Sequence, residues 1–264
     1  MKRIIKIIIN KLGFELKRID TKSIGNGKKT KRLTLYKTDT GKYYLPTDAK
    51  KDTIADHIIN DQVFEKEVVD LAKLYIKPDT CVLDIGANFG QMSILFSEIV
   101  GEKGKIYSFE ADDWIFEILN KNVTVNKKND VIKTHFGAVH NNENEILLFP
   151  EQDFVEFGTY GSYGIDYNSK EGREVKTITI DSLCITEKIS FIKIDIQGGD
   201  LMAMQGAINT IKRNKCPIIF EYEYQLEQKY NFCFQNYVDF VESINYKFHR
   251  VINGHNYLII PDNR

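Results

Sequence analysis

Asp84, Gly86, Asn88 and Gly90 lie together in "CVLDIGANFGQ", residues 81–91, where a short apolar run ends in a turn of small residues. Glu110 closes the next apolar run, "GKIYSFE", twenty residues beyond Gly90. Asp195 closes "ISFIKID" and Glu221 closes "CPIIFE". Each of these carboxylates stands at or near the end of a strand-like run, and ligands of open α/β sheets gather at the carboxyl ends of the strands. Gly86 and Gly90 allow the backbone to pass close to a ligand, with Ala87 and Asn88 between them. A dinucleotide turn would read GxGxxG and would meet a pyrophosphate. Here the spacing is GxxxG, and Asp84 two residues before the first glycine would repel a phosphate but suit an ammonium group. Glu110 is placed to accept the two hydrogen bonds of a ribose diol. Together these residues imply an adenosine whose far end is zwitterionic, a description that S-adenosylmethionine fits.

The elements that must hold these residues follow from periodicity. "LTLYKTDTGKYYLP" reads as a hairpin turning at Asp39–Gly41. The pattern from Ile58 to Ile76 is helical and ends at Pro78. Strands "CVLDIGA", "GKIYSFEA" and "VIKTHFGAV" then alternate with a helix through Met92, Leu95 and Ile99 and another through Ile115, Ile118 and Leu119, capped by Asp112 or Asp113. Residues 141–175 carry no helical period and read as an insertion of strands and a long surface loop. "VKTITIDSL" is predicted to return to the sheet. Strand "ISFIKID", a helix through Leu201, Met204, Ile208 and Ile211, strand "CPIIFEYEY" and a helix through Phe234 to Ile244 follow. A terminal hairpin turns at Asn253-Gly254. The expected fold is α/β, a doubly wound, mostly parallel sheet with a C-terminal antiparallel hairpin. Residues 1–57 form a helical and hairpin extension and residues 58–264 the main domain.

The bulk composition sets bounds. The 264 residues are 42% hydrophobic with a formal charge of −1, which suits a globular α/β protein and gives no basic footprint for nucleic acid. No run reaches the roughly 20 apolar residues of a membrane-spanning helix. "MKRIIKIIINKLGFELKRID" has a basic start but no small-residue cleavage site, so a signal peptide is not expected. Its isoleucines share one helical stripe flanked by lysines. Such a helix can pack on its own domain, on a second copy of the chain, or on an anionic membrane surface. Cys81, Cys184, Cys216 and Cys233 are widely spaced without a CxxC pair, and read as buried thiols in a reducing, cytoplasmic setting.

At the level of whole motifs, the chain resembles the FkbM family of S-adenosylmethionine-dependent methyltransferases. "VLDIGANFGQ", "IYSFEAD", "FGAV", "VKTITIDSL", "FIKIDIQGG" and "IIFEYEY" occur in the family's order, from about "YYLP" to the C-terminus. The resemblance implies the Rossmann-like class I methyltransferase fold and O-methylation, often of sugars in surface polysaccharides of the capsule type or of natural products. It implies that Asp84, Gly86, Asn88 and Gly90 line the methionine part of the cofactor and that Glu110 holds the ribose. Ala111 and Asp112 would lie beside the adenine, and Gly137 and Ala138 would reach its edge. One stretch departs from the pattern: where the family more usually has Asp-Val-Glu-Gly-Ala-Glu, this chain has Asp195-Ile196-Gln197-Gly198-Gly199-Asp200.

Methyl transfer to a hydroxyl needs an aligned acceptor and a group that takes its proton. Asp195 and Glu221 are the candidate bases, with His249 and His255 behind them. Asp195, Asp200 and Glu221 could also gather a divalent cation, Mg²⁺ or Mn²⁺, since hard oxygen donors suit both. Tyr160 and Tyr163, in a glycine-rich loop, and Gln197 are the candidates to touch a sugar or sugar-nucleotide acceptor. Lys193, on the same strand face as Asp195, can pair with a carboxylate, and Trp114 can cover the adenine. Two other classes stay open: a nucleotide-binding sugar oxidoreductase, and a non-catalytic module that keeps the cofactor pocket without the base.

Overall fold

The computed structural model describes residues 32–47, 52–150, 159, 161, 164–165 and 169–262. The N-terminal stripe of isoleucines, Tyr160 and Tyr163 lie outside the described residues. The described chain from Leu33 onward forms one compact unit. Hairpin β1 (Leu33–Thr38) and β2 (Gly41–Pro46) turns where expected. Helices α1 (Thr53–Ile59) and α2 (Lys66–Ala72) then lead to β3 (Cys81–Ile85), α3 (Gln91–Val100), β4 (Lys105–Glu110), α4 (Asp113–Val125) and β5 (Ile132–Phe136). A small sheet of β6 (Ala138–Val139), β7 (Ile146–Phe149) and β8 (Arg173–Ile178) follows. Strand β9 (Ile189–Ile194), helices α5 (Asp200–Gln205) and α6 (Ile208–Asn214), β10 (Ile218–Glu221), α7 (Glu227–Tyr230), α8 (Phe234–Ser243), β11 (Tyr246–Ile252) and β12 (Asn256–Pro261) complete the chain.

The seven-stranded sheet has the order β11-β12-β10-β9-β3-β4-β5, parallel from β10 to β5, with β12 antiparallel to both its neighbours. This is the expected doubly wound, mostly parallel sheet. Strands β3, β9 and β10 are buried along their whole length, because helices cover both faces of a parallel sheet. One core packs α1 to α4 on one face, around Phe89, Phe96 and Phe191. The other packs α5, α6 and α8 on the opposite face, around Leu83, Ile192 and Phe220.

Five local expectations are corrected. The single helix over 58–76 is two, because Asp61 and Glu65 take left-handed backbone (φ 61 and 47). The connection between them is tied to α3, where Gln91 accepts from Phe64 N and donates to Gln62 O. "VIKTHFGAV" divides at Gly137 (φ 152), where a Cβ would meet Ile178 and the Lys176 carbonyl. "VKTITI" therefore pairs with β6 and β7 in the small sheet rather than returning to the large one. The helix through Leu201 and Ile211 breaks at Gly206-Ala207, where the backbone of His140 passes too close for any side chain. Of the four cysteines, Cys81 and Cys216 are buried thiols, but Cys184 and Cys233 are exposed.

Candidate active site

A cleft opens at the carboxyl ends of β3, β4 and β9, enclosing about 790 Å³ of atom-free space with its open mouth included. Gly86 and Asn88 line it from the turn after β3, Glu110, Ala111 and Asp112 from the end of β4, and Gly137 and Ala138 from the break after β5. Asp195, Ile196 and Gln197 line it from the end of β9. The strand ends are stitched together through their backbone. Phe109 O accepts from Gly86 N and Ala87 N at 3.0 and 2.9 Å, and Ile85 O accepts from Asp195 N at 3.0 Å. Gly86 has φ 85, and a Cβ there would overlap the Asp195 carbonyl oxygen. Only glycine admits both the left-handed backbone and that approach.

Glu110 stands at the centre of the cleft wall. Its Oε1 accepts from Ala111 N and Asp112 N at 2.9 and 2.8 Å, and its Oε2 accepts from Asn88 N at 3.0 Å. Each carboxylate oxygen accepts about two bonds, so Oε2 retains room for one further donor, such as a hydroxyl. Burial pushes Glu110 up to about 7, the Asp112, Asn88 and Ala111 amides pulling it back. Asp112 caps α4, its Oδ1 accepting from Trp114 N and Ile115 N at 2.8 and 2.9 Å. Its Oδ2 accepts from Arg173 of β8 at 2.6 Å, and the same guanidinium meets Asp113. One carboxylate thus fixes a helix start, a cleft wall and the small sheet.

Behind the turn lies a cluster of charge. Lys193, 5% exposed, donates to Gly86 O at 2.9 Å and stands 3.7 Å from Asp84 and 3.5 Å from Asp195. Burial opposes its charge, but Asp195, Asp84, Glu65 and Asp200 outweigh it and hold the ammonium protonated. Asp195 is the exposed carboxylate of the group, at 23%. The Gln197 amide donates to Asp195 Oδ1 at 3.3 Å and to Glu221 Oε2 at 2.7 Å. Glu221 is pushed well above the usual range, by burial first and then by Asp195 and Asp200. Asp200, fully buried, is raised to about 7 for the same reasons, although its Oδ1 accepts from Glu221 N. His255 lies 3.9 Å from Glu221 and 3.6 Å from Glu65, and Asn256 donates to Glu65 at 2.8 Å.

Several sequence-predicted residues stand elsewhere than expected. Asp84 is wholly buried, its carboxylate turned onto the Ser93 hydroxyl and Lys193 rather than into the cleft. Ala87 packs in the core, and Gly90 (φ 85) caps α3 against Leu119. Glu221 is buried behind Gln197 and does not line the cleft. Trp114 packs on the core, and His249 is exposed on β11. The divalent-cation site finds no support: among the described residues no three acidic, histidine or cysteine side chains are arranged to hold a metal. Asp200 is closed off in the interior, and the Lys193 ammonium and the Gln197 amide already face the carboxylates that a cation would need.

The structure also adds residues that sequence reading missed. Ile54 of α1, Phe149 of β7 and Tyr230 of α7 line the cleft beside Gly161, Gly164 and Ile165. Tyr230 donates to Ile165 O at 2.7 Å and closes over Gly198. No local signal marks them, since each arrives from a distant element. Glu65 was legible only as an acidic residue in a helical run.

A family profile described as the methyltransferase FkbM domain matches residues 84–249. No curated protein matches the chain. Among solved structures, a methyltransferase FkbM from Methylobacillus flagellatus KT is similar at 15% identity and a TM-score of 0.47, over 81% of this chain. The match spans 56% of that protein's length. Aeropyrum pernix fibrillarin, with S-adenosyl-L-methionine natively bound, is similar at 12% identity and a TM-score of 0.43, over 89% of this chain and 84% of that one. A SAM-dependent methyltransferase from Aquifex aeolicus is similar at 16% identity and a TM-score of 0.39, over 74% and 88%.

Proposed function

Because the chain belongs to the FkbM methyltransferase family, we propose that it transfers a methyl group from S-adenosylmethionine to a hydroxyl of a sugar or sugar-nucleotide precursor of a bacterial surface polysaccharide. The sheet order, with β12 reversed between β10 and β11, is that of class I methyltransferases. One observation carries the reading: the glycine turn after β3, the Glu110 carboxylate and Asp195 meet in one cleft. Glu110 Oε2, which accepts from Asn88 N, would accept a ribose hydroxyl through its remaining lone pair. Ala111, Asp112, Gly137 and Ala138, which line the cleft, would form the slot for the adenine. When bound, the cofactor supplies an electrophilic methyl on a sulfonium.

The chain's own part is to align the acceptor and to take its proton. Asp195 is the base, because it faces the cleft. Glu221, its affinity for a proton raised, stays neutral beside it, and Gln197 holds both in place. A base hydrogen-bonded to a fixed donor keeps its orientation through the reaction. On this reading the protein acts in the cytoplasm, and a peripheral contact with the inner face of the membrane stays open beside it. Among the described residues no helix is long and apolar enough to cross one.

Titration calorimetry tests the reading. S-adenosylmethionine and S-adenosylhomocysteine should each bind with one-to-one stoichiometry, and NAD should not. NAD binding without S-adenosylmethionine would favour the oxidoreductase. Asp195→Asn should bind the cofactor yet lose at least 100-fold in turnover once an acceptor is supplied. Wild-type turnover in that variant removes Asp195 from the chemistry.

A further inference from the structure

Lys193 stands at the centre of this cluster, and the proposed reaction leaves it without a task. It is a buried cation, and buried charges are costly unless they are paired. Its ammonium bridges two strand ends, donating to Gly86 O at the end of β3 and facing Asp195 at the end of β9. Gly86 and Asp195 both line the cleft, so the charge stands immediately behind the cleft wall. Asp84 flanks it on the interior side, with Oδ1 accepting no hydrogen bond and Lys193 facing it at 3.7 Å. Glu65 and Asp200 face the same ammonium from α2 and α5.

The reaction changes the charge in front of that wall. The bond from sulfur to the methyl carbon breaks, its electron pair stays on sulfur, and the methyl bonds to the acceptor oxygen. That oxygen's proton passes to the base. A sulfonium therefore becomes a neutral thioether, and any fixed charge nearby weights the two states unequally. We propose that the buried ammonium of Lys193, set against Asp84 and Asp195, is a positioning residue that balances the charge behind the cleft and sets how strongly the site prefers the sulfonium cofactor over its thioether product. Without it the surrounding carboxylates would hold the sulfonium too well for the reaction and release the product too readily. With it, the excess of negative charge is trimmed. The proposal rests on the cofactor reading given above.

The experiment compares the dissociation constants of S-adenosylmethionine and S-adenosylhomocysteine by calorimetry on the full chain at pH 8.5, where neighbouring acids recover a lost charge less readily. The two ligands differ only by the methyl and its charge, so the ratio cancels losses from imperfect folding. Lys193→Met and Lys193→Gln should shift the ratio toward S-adenosylmethionine by about tenfold, the order of one unit charge acting at an effective dielectric of about 20. Asp195→Asn should shift it by a similar factor toward S-adenosylhomocysteine. It serves as the second arm if the lysine variants do not fold. A merely structural role would weaken both ligands alike and leave every ratio in place. Ratios within twofold of wild type, or shifts of the same sign in the lysine and aspartate variants, overturn the proposal. A wild-type protein that binds neither ligand sinks the cofactor reading instead.

Discussion

Glu110 illustrates how one carboxylate can be both structural and functional. Three backbone N–H groups hold it, so its orientation is set before any ligand arrives, and the geometry needed for a ribose contact costs no further ordering. Its acidity carries a signed consequence. Burial raises the group to about 7, so above that pH it is a carboxylate with two accepting oxygens. Below it, one oxygen gains a proton that competes with the incoming hydroxyl and with the backbone amides. Affinity for S-adenosylhomocysteine should therefore be full above pH 7 and fall as the pH drops from 7 to 5.5, with proton release on binding in that window. Calorimetry in buffers of different ionisation enthalpy reads both effects. Glu110→Ala should lose more than tenfold in affinity at pH 8, and an unchanged constant would remove it from the ribose.

Among the elements, α4 shows how a helix start doubles as a wall. Asp112 accepts from two free N–H groups of its first turn, which normally stabilises by about 1 kcal/mol. Its other oxygen pairs with Arg173 in a partly buried setting, where a charge-assisted bond adds roughly 1–2 kcal/mol. Asp112→Ala should lose about 2–3 kcal/mol in urea denaturation. Asp112→Asn keeps the capping oxygen and should lose about half of that. Equal losses in the two variants would show that the cap contributes nothing. The small sheet of β6, β7 and β8 leans on the same residue, since Arg173 also stacks over Phe149, 5.3 Å from its ring. Both ends of that cation thus bear on the cleft.

Across the whole molecule, the hairpin β1–β2 belongs to neither larger sheet, yet it is joined to the main body by side-chain amides. Asn122, fully buried in α4, accepts from Tyr44 N at 2.6 Å and donates to Tyr44 O and Phe89 O at 3.2 and 2.9 Å. Asn126, one turn on, makes the same pair of bonds with Lys42. One carboxamide therefore links the hairpin, the helix and the turn that follows β3. Asn122→Ala removes three hydrogen bonds, those with the part-buried Tyr44 N and O and with Phe89 O, each worth about 1 kcal/mol. It should cost about 3 kcal/mol or more in chemical denaturation and separate hairpin loss from global unfolding in hydrogen exchange. A single wild-type-like transition would mean that Asn122 is not what holds the hairpin, leaving that to Asn126 and to the apolar face of Tyr43 and Leu45.

Strands β3, β4, β9 and β10, the glycine turn, a helix cap at Asp112 or Asp113 and the terminal hairpin were all legible in the sequence. Each depends on periodicity, turn chemistry or capping within a few residues. The cleft-lining positions of Gly86, Asn88, Glu110 and Asp195 followed from strand ends in a parallel sheet. The breaks at Glu65, Gly137 and Gly206 were not legible, because they answer to a glutamine, an isoleucine and a histidine carbonyl brought in by other elements. Nor could the sequence show that Asp84 faces inward, that the Gln197 amide joins Asp195 to Glu221, or that one ammonium serves two strand ends. Local order fixes which residues arrive at the end of a strand. Which charges they meet there, and hence which protons they hold, is decided when distant strands are laid side by side.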